Sequence, residues 1–285
     1  MINDKKRGMY PIQLTILPPP VILKNDVECV RIADYRGGEA VAIKVAPTGL
    51  PGMVFHQSRG QAALEQIVTA SGRTSCPPPL FLYGPVIEPS VMTYTRAAFT
   101  TIQVILKPYA LKTLFGLNAS RLAPGWADLH EFWHEDLTGQ LMEARKGQEQ
   151  MTLLSDFLVA RFKQEHPRDR LVEESLRLIH TQSGALHVRD LLDALSLSER
   201  QFERRFTQAV GLPPQVYLRV KRFNEAIRAI KTRRFARLTD VAAALNFSDQ
   251  SHLIHDIRTF AGMTPTSLAH QGDDFYHDQA GYSFV

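Results

Sequence analysis

The chain has 285 residues, 44% of them hydrophobic and 22% charged, with a formal net charge of +4. That length suits two domains, and the balance is that of a globular protein rather than a disordered or fibrous one. Two cysteines, Cys29 and Cys76, exclude a disulfide framework or a cysteine metal motif and make a reduced cytoplasm the default. No apolar run approaches the roughly eighteen residues of a membrane helix, and Pro11, Pro18, Pro19 and Pro20 break the opening stretch in a way that argues against a signal peptide.

Residues 1–110 read as mostly β. The runs VECVRIADY, AVAIKVA, GMVFHQ, PLFLYGPV, VMTYT and FTTIQVIL are short and rich in β-branched or aromatic side chains. Gly37-Gly38, Pro47-Thr48-Gly49, Pro51-Gly52 and Pro77-Pro78-Pro79 punctuate them. Such a series predicts a β-barrel or jelly-roll-like (cupin-like) domain. The stretch Leu64-Glu65-Gln66-Ile67 fits a strand or a helix. A barrel offers an interior for a small effector, and Phe55, His56, Phe81, Tyr83 and Tyr94 are its candidate lining. The competing reading is structural: strand aromatics usually fill the core, and metal sites need several ligands rather than one His.

From Pro108 to Gly116, Trp126 to Lys146 and Glu149 to Gln164 the pattern turns helical. Leu129, Phe132, Trp133, Leu137, Leu141 and Met142 form one apolar stripe, and Leu153, Leu154, Phe157, Leu158 and Phe162 another. Two such helices suit an antiparallel pair beside the barrel, covering its edge or joining two copies. His130-Glu131-Phe132-Trp133-His134 spells HExxH. On a helix its histidines would share a face, with Glu131 as general base. A metal-dependent hydrolase is therefore the rival reading. The longer HExxHxxGxxH pattern is absent, and a third ligand would have to be Glu149 or Asp156. Phe132 and Trp133 belong to the apolar stripe, so the histidines are expected to flank a packing contact. No GxSxG, P-loop or dinucleotide turn occurs, and no cofactor or metal is expected.

Pro167-Arg168-Asp169 is a short linker, which keeps its domains close. The organisation expected is a regulatory domain over 1–166, a second domain over 167–270 and a tail over 271–285. Charge separates along the same line. Residues 161–270 hold 18 basic and 12 acidic side chains, against 15 and 17 in the remainder. A basic domain attracts phosphate without specifying sequence.

Leu238 to Pro265 reads as two short helices with a tight turn. Thr239 and Asp240 predict a cap and acidic first turn, and Val241, Ala244 and Leu245 an apolar face. Phe247 anchors the break, and Asp249 caps a second helix with Leu253, Ile257 and Phe260 inward and Gly262 at its end. The same plan occurs fifty residues earlier. Leu191, Ala194, Leu195, Leu197 and Ser198 match Val241, Ala244, Leu245, Phe247 and Ser248. Phe202, Phe206, Val210, Gly211 and Pro214 then match Leu253, Ile257, Ala261, Gly262 and Pro265 at fifty-one, one residue being extra in the second turn. Pro214 to about Lys231 forms a connecting helix of about 25 to 28 Å. Two helix-turn-helix units so joined suit successive major-groove segments about 34 Å apart.

This pair, with the ending NFSDQSHLIHDIRTFAGMTP, resembles the DNA-binding domain of AraC/XylS transcription regulators over roughly Asp169 to His270. The stretch from Ile105 to Gly116, after a Gly-Pro strand, is similar to the sensor half of a subgroup of that family. The resemblance implies an α+β chain whose N-terminal domain binds a small effector or partner. It further implies a cytoplasmic protein acting on double-stranded promoter or operator DNA, a homodimer through helices near 126–164, and RNA polymerase as a further partner. Arg200, Glu203 and Arg204 in the first unit and Gln250, Ser251 and His255 in the second match the base-reading positions. Many members carry Arg where this chain has His255. Arg205, Lys221, Arg222 and Arg258 are expected to hold phosphates. A non-specific nucleic-acid-binding protein is the remaining alternative.

Overall fold

The structure, a computed structural model, describes residues 12–123, 125–164, 166–182, 186–232, 234–270, 274–278 and 281–284. The strands in chain order are β1 (Ile12–Leu17), β2 (Val27–Tyr35), β3 (Val41–Val45), β4 (Gly52–Gln57), β5 (Leu64–Thr69) and β6 (Thr74–Ser75). They continue with β7 (Leu80–Tyr83), β8 (Ser90–Tyr94), β9 (Phe99–Leu106) and β10 (Trp126–Asp128), and a C-terminal hairpin adds β11 (Asp274–Asp278) and β12 (Gly281–Phe284). Among the described residues they form two antiparallel sheets, ordered β1-β2-β9-β4-β7-β10 and β11-β12-β3-β8-β5-β6. The expected barrel is thus corrected to a pair of facing sheets that do not close. Leu64–Ile67, open in the sequence, lies in β5 and pairs with β8.

Alternation along the strands explains the layers. In β9, Ile102, Val104 and Leu106 point to one side, while Phe99 belongs to the core between the sheets. The first side is covered by helices α1 (Ala110–Phe115), α2 (Leu137–Glu143) and α3 (Gly147–Phe162). Leu111, Leu114, Leu141, Leu154, Phe157 and Leu158 pack there with Met53, Phe55 and Leu82. The domain therefore has three layers: sheet, sheet and helices.

The single helix expected over 126–146 is absent. Trp126–Asp128 instead pairs with Tyr83–Phe81 as β10. A 3-10 turn, Leu129–Glu131, follows, with Asp128 accepting from the His130 backbone N–H at 2.9 Å and Glu131 accepting from that of Asp128 at 3.2 Å. Leu129, Leu137 and Leu141 still reach one core, with Phe132 and Trp133 packed against it, so the stripe was real but its period was not that of one helix. His130 and His134 share no helical face, and Glu131 is a capping residue. Among the described residues no group of His, Cys, Asp and Glu is placed to hold a metal. The HExxH reading fails on geometry.

The C-terminal part is helical: α4 (Arg170–Thr181), α5 (Val188–Leu195), α6 (Glu199–Val210), α7 (Pro214–Lys231), α8 (Leu238–Ala244), α9 (Gln250–Ala261) and α10 (Pro265–His270). Two cores flank α7. Phe202, Phe206 and Val210 meet its Tyr217 and Leu218, while Leu253, Ile257 and Phe260 meet Val220, Phe223 and Ile227. The hairpin β11–β12 returns to the N-terminal domain, β12 pairing Ser283 with Val45 and Phe284 with Lys44. What was expected as a tail belongs in part to the second sheet.

The two parts meet along a specific seam. Asp26, with no exposed surface, accepts from Arg168 Nη2 at 2.8 and 2.7 Å and from Thr113 Oγ1 at 2.5 Å. Arg168 also reaches Glu173 and lies over the Tyr109 ring. Asn224 of α7 donates to the Pro47 carbonyl at 3.1 Å. Gly211 ends α6 at φ +86°, and a Cβ there would stand 2.9 Å from the Ala119 carbonyl oxygen.

Removing Arg168 leaves a buried carboxylate without its cation, so Arg168→Met is expected to destabilise the protein by about 3 kcal/mol in urea unfolding. Gly262 occupies the repeat-equivalent place at φ +68° with nothing within 4 Å of an added Cβ. Gly262→Ala should therefore cost only the left-handed backbone penalty of about 1 to 2 kcal/mol. Gly211→Ala should cost more, because Ala119 must also move, and paired thermal melts measure the difference.

Candidate nucleic-acid interface and intersheet cavity

Each helix-turn-helix unit turns through a non-glycine residue in the left-handed region: Ser196 at φ 52° and Asn246 at φ 59°, fifty residues apart. Asn tolerates that conformation through local side-chain hydrogen bonding. The helices that follow are capped differently. Asp249 accepts from the His252 backbone N–H at 2.8 Å. Ser198 is the N-cap of α6 but its side chain caps no backbone N–H, its Oγ donating to the Gln201 side chain instead. Thr239 is not a cap: α8 begins at Leu238, and Arg237 precedes it without a side-chain bond. Ala244 and its counterpart Ala194 are exposed, and Ala242 takes the inward place beside Val241.

The buried residues of α6 and α9 fix what is left outside. Phe202, Phe206, Leu253, Ile257 and Phe260 are buried, so Arg200, Glu203, Arg204, Gln250, Ser251 and His255 are exposed. Arg258 is exposed as well. The starts of α5, α6 and α9 open on one groove, lined by His187 and Glu199 from the first unit, His252 from the second, and Arg219 and Arg222 from α7. His187 Nε2 and Asn246 Nδ2, 2.7 Å apart, tie the two units across it. With 18 residues α7 is roughly 27 Å long.

Three expected phosphate ligands have other partners. Arg205 makes a two-point pair with Asp169, at 2.8 and 2.7 Å, and Asp169 is also the N-cap of α4. Lys221 is half-buried, its ammonium pKa lowered by burial and raised in part by Glu225 and Glu28. It therefore faces the seam with the N-terminal domain. Arg222 lies 5.4 Å over the Phe247 ring and half inside the groove. The sequence missed Arg219, which donates to the buried Asp256 at 3.0 and 2.7 Å and fixes α9 to α7.

Between the sheets lies a cavity of about 460 Å³, a size and setting typical of small-molecule sites. Its polar wall is a chain of contacts. Arg31, only 3% exposed, donates to Gln103 Oε1 at 3.3 Å, and Gln103 Nε2 donates to the Tyr83 hydroxyl at 3.0 Å. Trp126 Nε1 reaches Ser75 Oγ at 3.1 Å, and Arg73 pairs with Glu88. Of the five expected lining residues, Phe81 and Tyr83 are present. Tyr94 stacks on Phe99 and lines a small adjoining space. Phe55 faces the helices. Arg31 and Gln103 were legible in principle: they are direct partners on β2 and β9, and the period of two turns both inward.

His56 lies outside the cavity. It is fully buried, and its Nδ1 accepts from the Ala63 and Leu64 backbone N–H groups at 3.0 and 3.1 Å. The neutral ring therefore carries its proton on Nε2, near the Pro78 carbonyl but short of a full hydrogen bond. It is a structural histidine.

Comparison with known proteins accords with this geometry. A helix-turn-helix domain family matches residues 191–271, and a domain of unknown function (DUF6597) matches residues 15–125. The transcriptional activator RhaS of Pectobacterium carotovorum, and that of Pectobacterium atrosepticum, are each 36% identical over 81 residues. That segment is 28% of this chain and 29% of each relative, so the chain matches less than a third of their length. ToxT from Vibrio cholerae has a TM-score of 0.44 at 10% identity, covering 91% of this chain and 98% of that one. A ToxT structure with an unsaturated fatty acid bound scores 0.44 at 11% identity, over 86% and 95%. The AraC-like activator CuxR scores 0.26 at 16% identity, over 77% and 88%. The chain therefore carries a helix-turn-helix domain over residues 191–271, behind a DUF6597 domain over residues 15–125.

Burial lowers the His56 pKa from 6.5 to about 4, with the Pro78 carbonyl opposing. Between those values the unfolded chain takes up a proton that the native ring refuses. The contribution is complete above pH 6.5 and is lost as pH falls toward 4, by up to about 3 kcal/mol. Urea titrations of the wild type and His56→Asn across that range should diverge, the wild type losing stability faster.

Proposed function

We propose that this chain is a sequence-specific AraC-type transcription regulator. Its reading helices α6 and α9 enter successive major-groove segments of promoter or operator DNA. The observation that carries this reading is the repeated unit itself. Two helices with buried apolar faces turn exposed polar faces outward, and their starts flank one groove. Arg200, Glu203 and Arg204, with Gln250, Ser251 and His255, are the base readers in this proposal. Arg258 and Arg222 hold phosphate. Arg205 and Lys221 serve the architecture instead.

The regulatory domain spans 1–166 and the reading domain 167–270. The intersheet cavity takes a small, mainly apolar effector with a group that hydrogen-bonds Arg31, Gln103 or Tyr83. Effector binding shifts the balance between reading-competent and incompetent arrangements, which requires a ligand that prefers one of them. Dimerisation through the helices of 126–164, contact with RNA polymerase and a cytoplasmic location complete the reading. Among the described residues no helix is long and apolar enough to cross a membrane.

Selection of bound duplexes from a random pool should recover two half-sites about one helical turn apart. On such a duplex Arg204→Ala is expected to cost about 1 to 3 kcal/mol and to relax preference at one base pair. Equal weakening on every sequence would reduce Arg204 to a phosphate contact. Equal affinity of the wild type for selected and random duplex at fixed salt would favour a non-specific binder.

A further inference from the structure

The cavity and the reading domain are separated by a single layer of chain. Residues 84–88 line the cavity along one side, together with Val45 and Thr48. The same stretch is the floor on which the helical domain sits. Ile87 packs against both helical cores, the one built on α6 and the one built on α9. The Pro85 ring stands 3.1 Å from where a Gly211 Cβ would be, at the end of α6. A second loop backs the first. The Gly49 N–H donates to the Val86 carbonyl at 2.8 Å, Gly49 lies against Tyr217 and Val220 of α7, and Ala46 joins the second core. Among the described residues, Ile87 is a side chain that borders the cavity and touches both helix-turn-helix cores.

We propose that the 84–88 loop is the element that couples the cavity to the DNA-reading units, with Ile87 as its contact point. This rests on the effector reading above. A ligand filling the cavity presses on or draws in the loop, and the loop sets how α6 and α7 seat against the N-terminal domain. Packed interiors respond to such a push by moving between discrete arrangements rather than by yielding. Gly84 fixes one end of the loop: its N–H donates to the Gly125 carbonyl at 2.9 Å, and a Cβ there would meet the Leu122 carbonyl oxygen at 2.3 Å. Ser71 and Arg73 hold Glu88 at the other end. Motion is therefore directed to Pro85–Ile87, where the reading domain sits.

The test uses anilinonaphthalene sulfonate as cavity probe and a duplex selected from a random pool, with full-length protein. Met92 borders the cavity, so Met92→Trp, which fills it, reports whether the probe binds there. In the wild type, saturating probe should change the duplex Kd by about fivefold or more. Ile87→Ala, which gives up one piece of cavity wall and packing to both cores, is titrated to its own probe saturation below its melting temperature, and should then show less than about a twofold change in duplex Kd with probe. Pro85→Ala should fall between them. An undiminished change in Ile87→Ala, or no change in the wild type with the cavity occupied, overturns the coupling role while leaving the cavity reading intact. Probe binding that Met92→Trp does not reduce overturns the cavity reading and the coupling role with it.

Discussion

Helix α7 is constrained on three sides, and the arrangement of the molecule follows from satisfying all of them. Tyr217 and Leu218 close the core of the first helix-turn-helix unit, and Val220, Phe223 and Ile227 close that of the second. Asn224 and the Gly49 contact bind the same helix to the N-terminal domain. Asn224 is itself buried, and its amide donates to Pro47 and to the Val220 carbonyl. A buried amide must find such partners or oppose folding. The connector between the helix-turn-helix units is thereby also the seat on the N-terminal domain. Any shift of that seat carries the cores of both α6 and α9 with it.

The cavity follows from a similar constraint in the sheets. Strand pairing places Arg31 opposite Gln103 on the inward face, where neighbouring positions are apolar. Polar groups in that setting need hydrogen-bond partners. Gln103 supplies one to Arg31 and takes another at Tyr83. Such a chain leaves room where aliphatic side chains would have interdigitated. The space that results opens toward the loop on which the helical domain rests, so the polar choice at two strand positions and the domain seam are one structural problem.

Legibility differed sharply between the halves. The repeat at fifty residues, the glycines Gly211 and Gly262, and the apolar spacing of α6 and α9 are local signals, and the structure realises them with matching turns at Ser196 and Asn246. The stripe from Leu129 to Met142 misled. A strand, a 3-10 turn and a short helix can deliver side chains to one core at spacings that imitate a single helix. The HExxH letters fell inside that imitation, and Glu131 proved to be a cap. For the cavity, aromatic content was a partial guide, since Phe81 and Tyr83 line it. Phe55 lies on the far side of its sheet and His56 beyond the cavity, while the inward-facing Arg31 and Gln103 carry its polarity.

By itself, the sequence determined the helix-turn-helix pair, their connector, the basic bias of the C-terminal domain and the mostly β character of the N-terminal one. Each of these depends on periodicity, capping or charge within a few turns of chain. Tertiary structure alone decided that the sheets face each other without closing, that Arg205 pairs with Asp169 and that Lys221 is half-buried. It alone decided that Asp26 meets Arg168, and that one loop borders both the cavity and the two helical cores. Those outcomes join residues as far apart as 26 and 168 or 85 and 211, and which distant groups meet is set by packing and by the need to pair every buried charge.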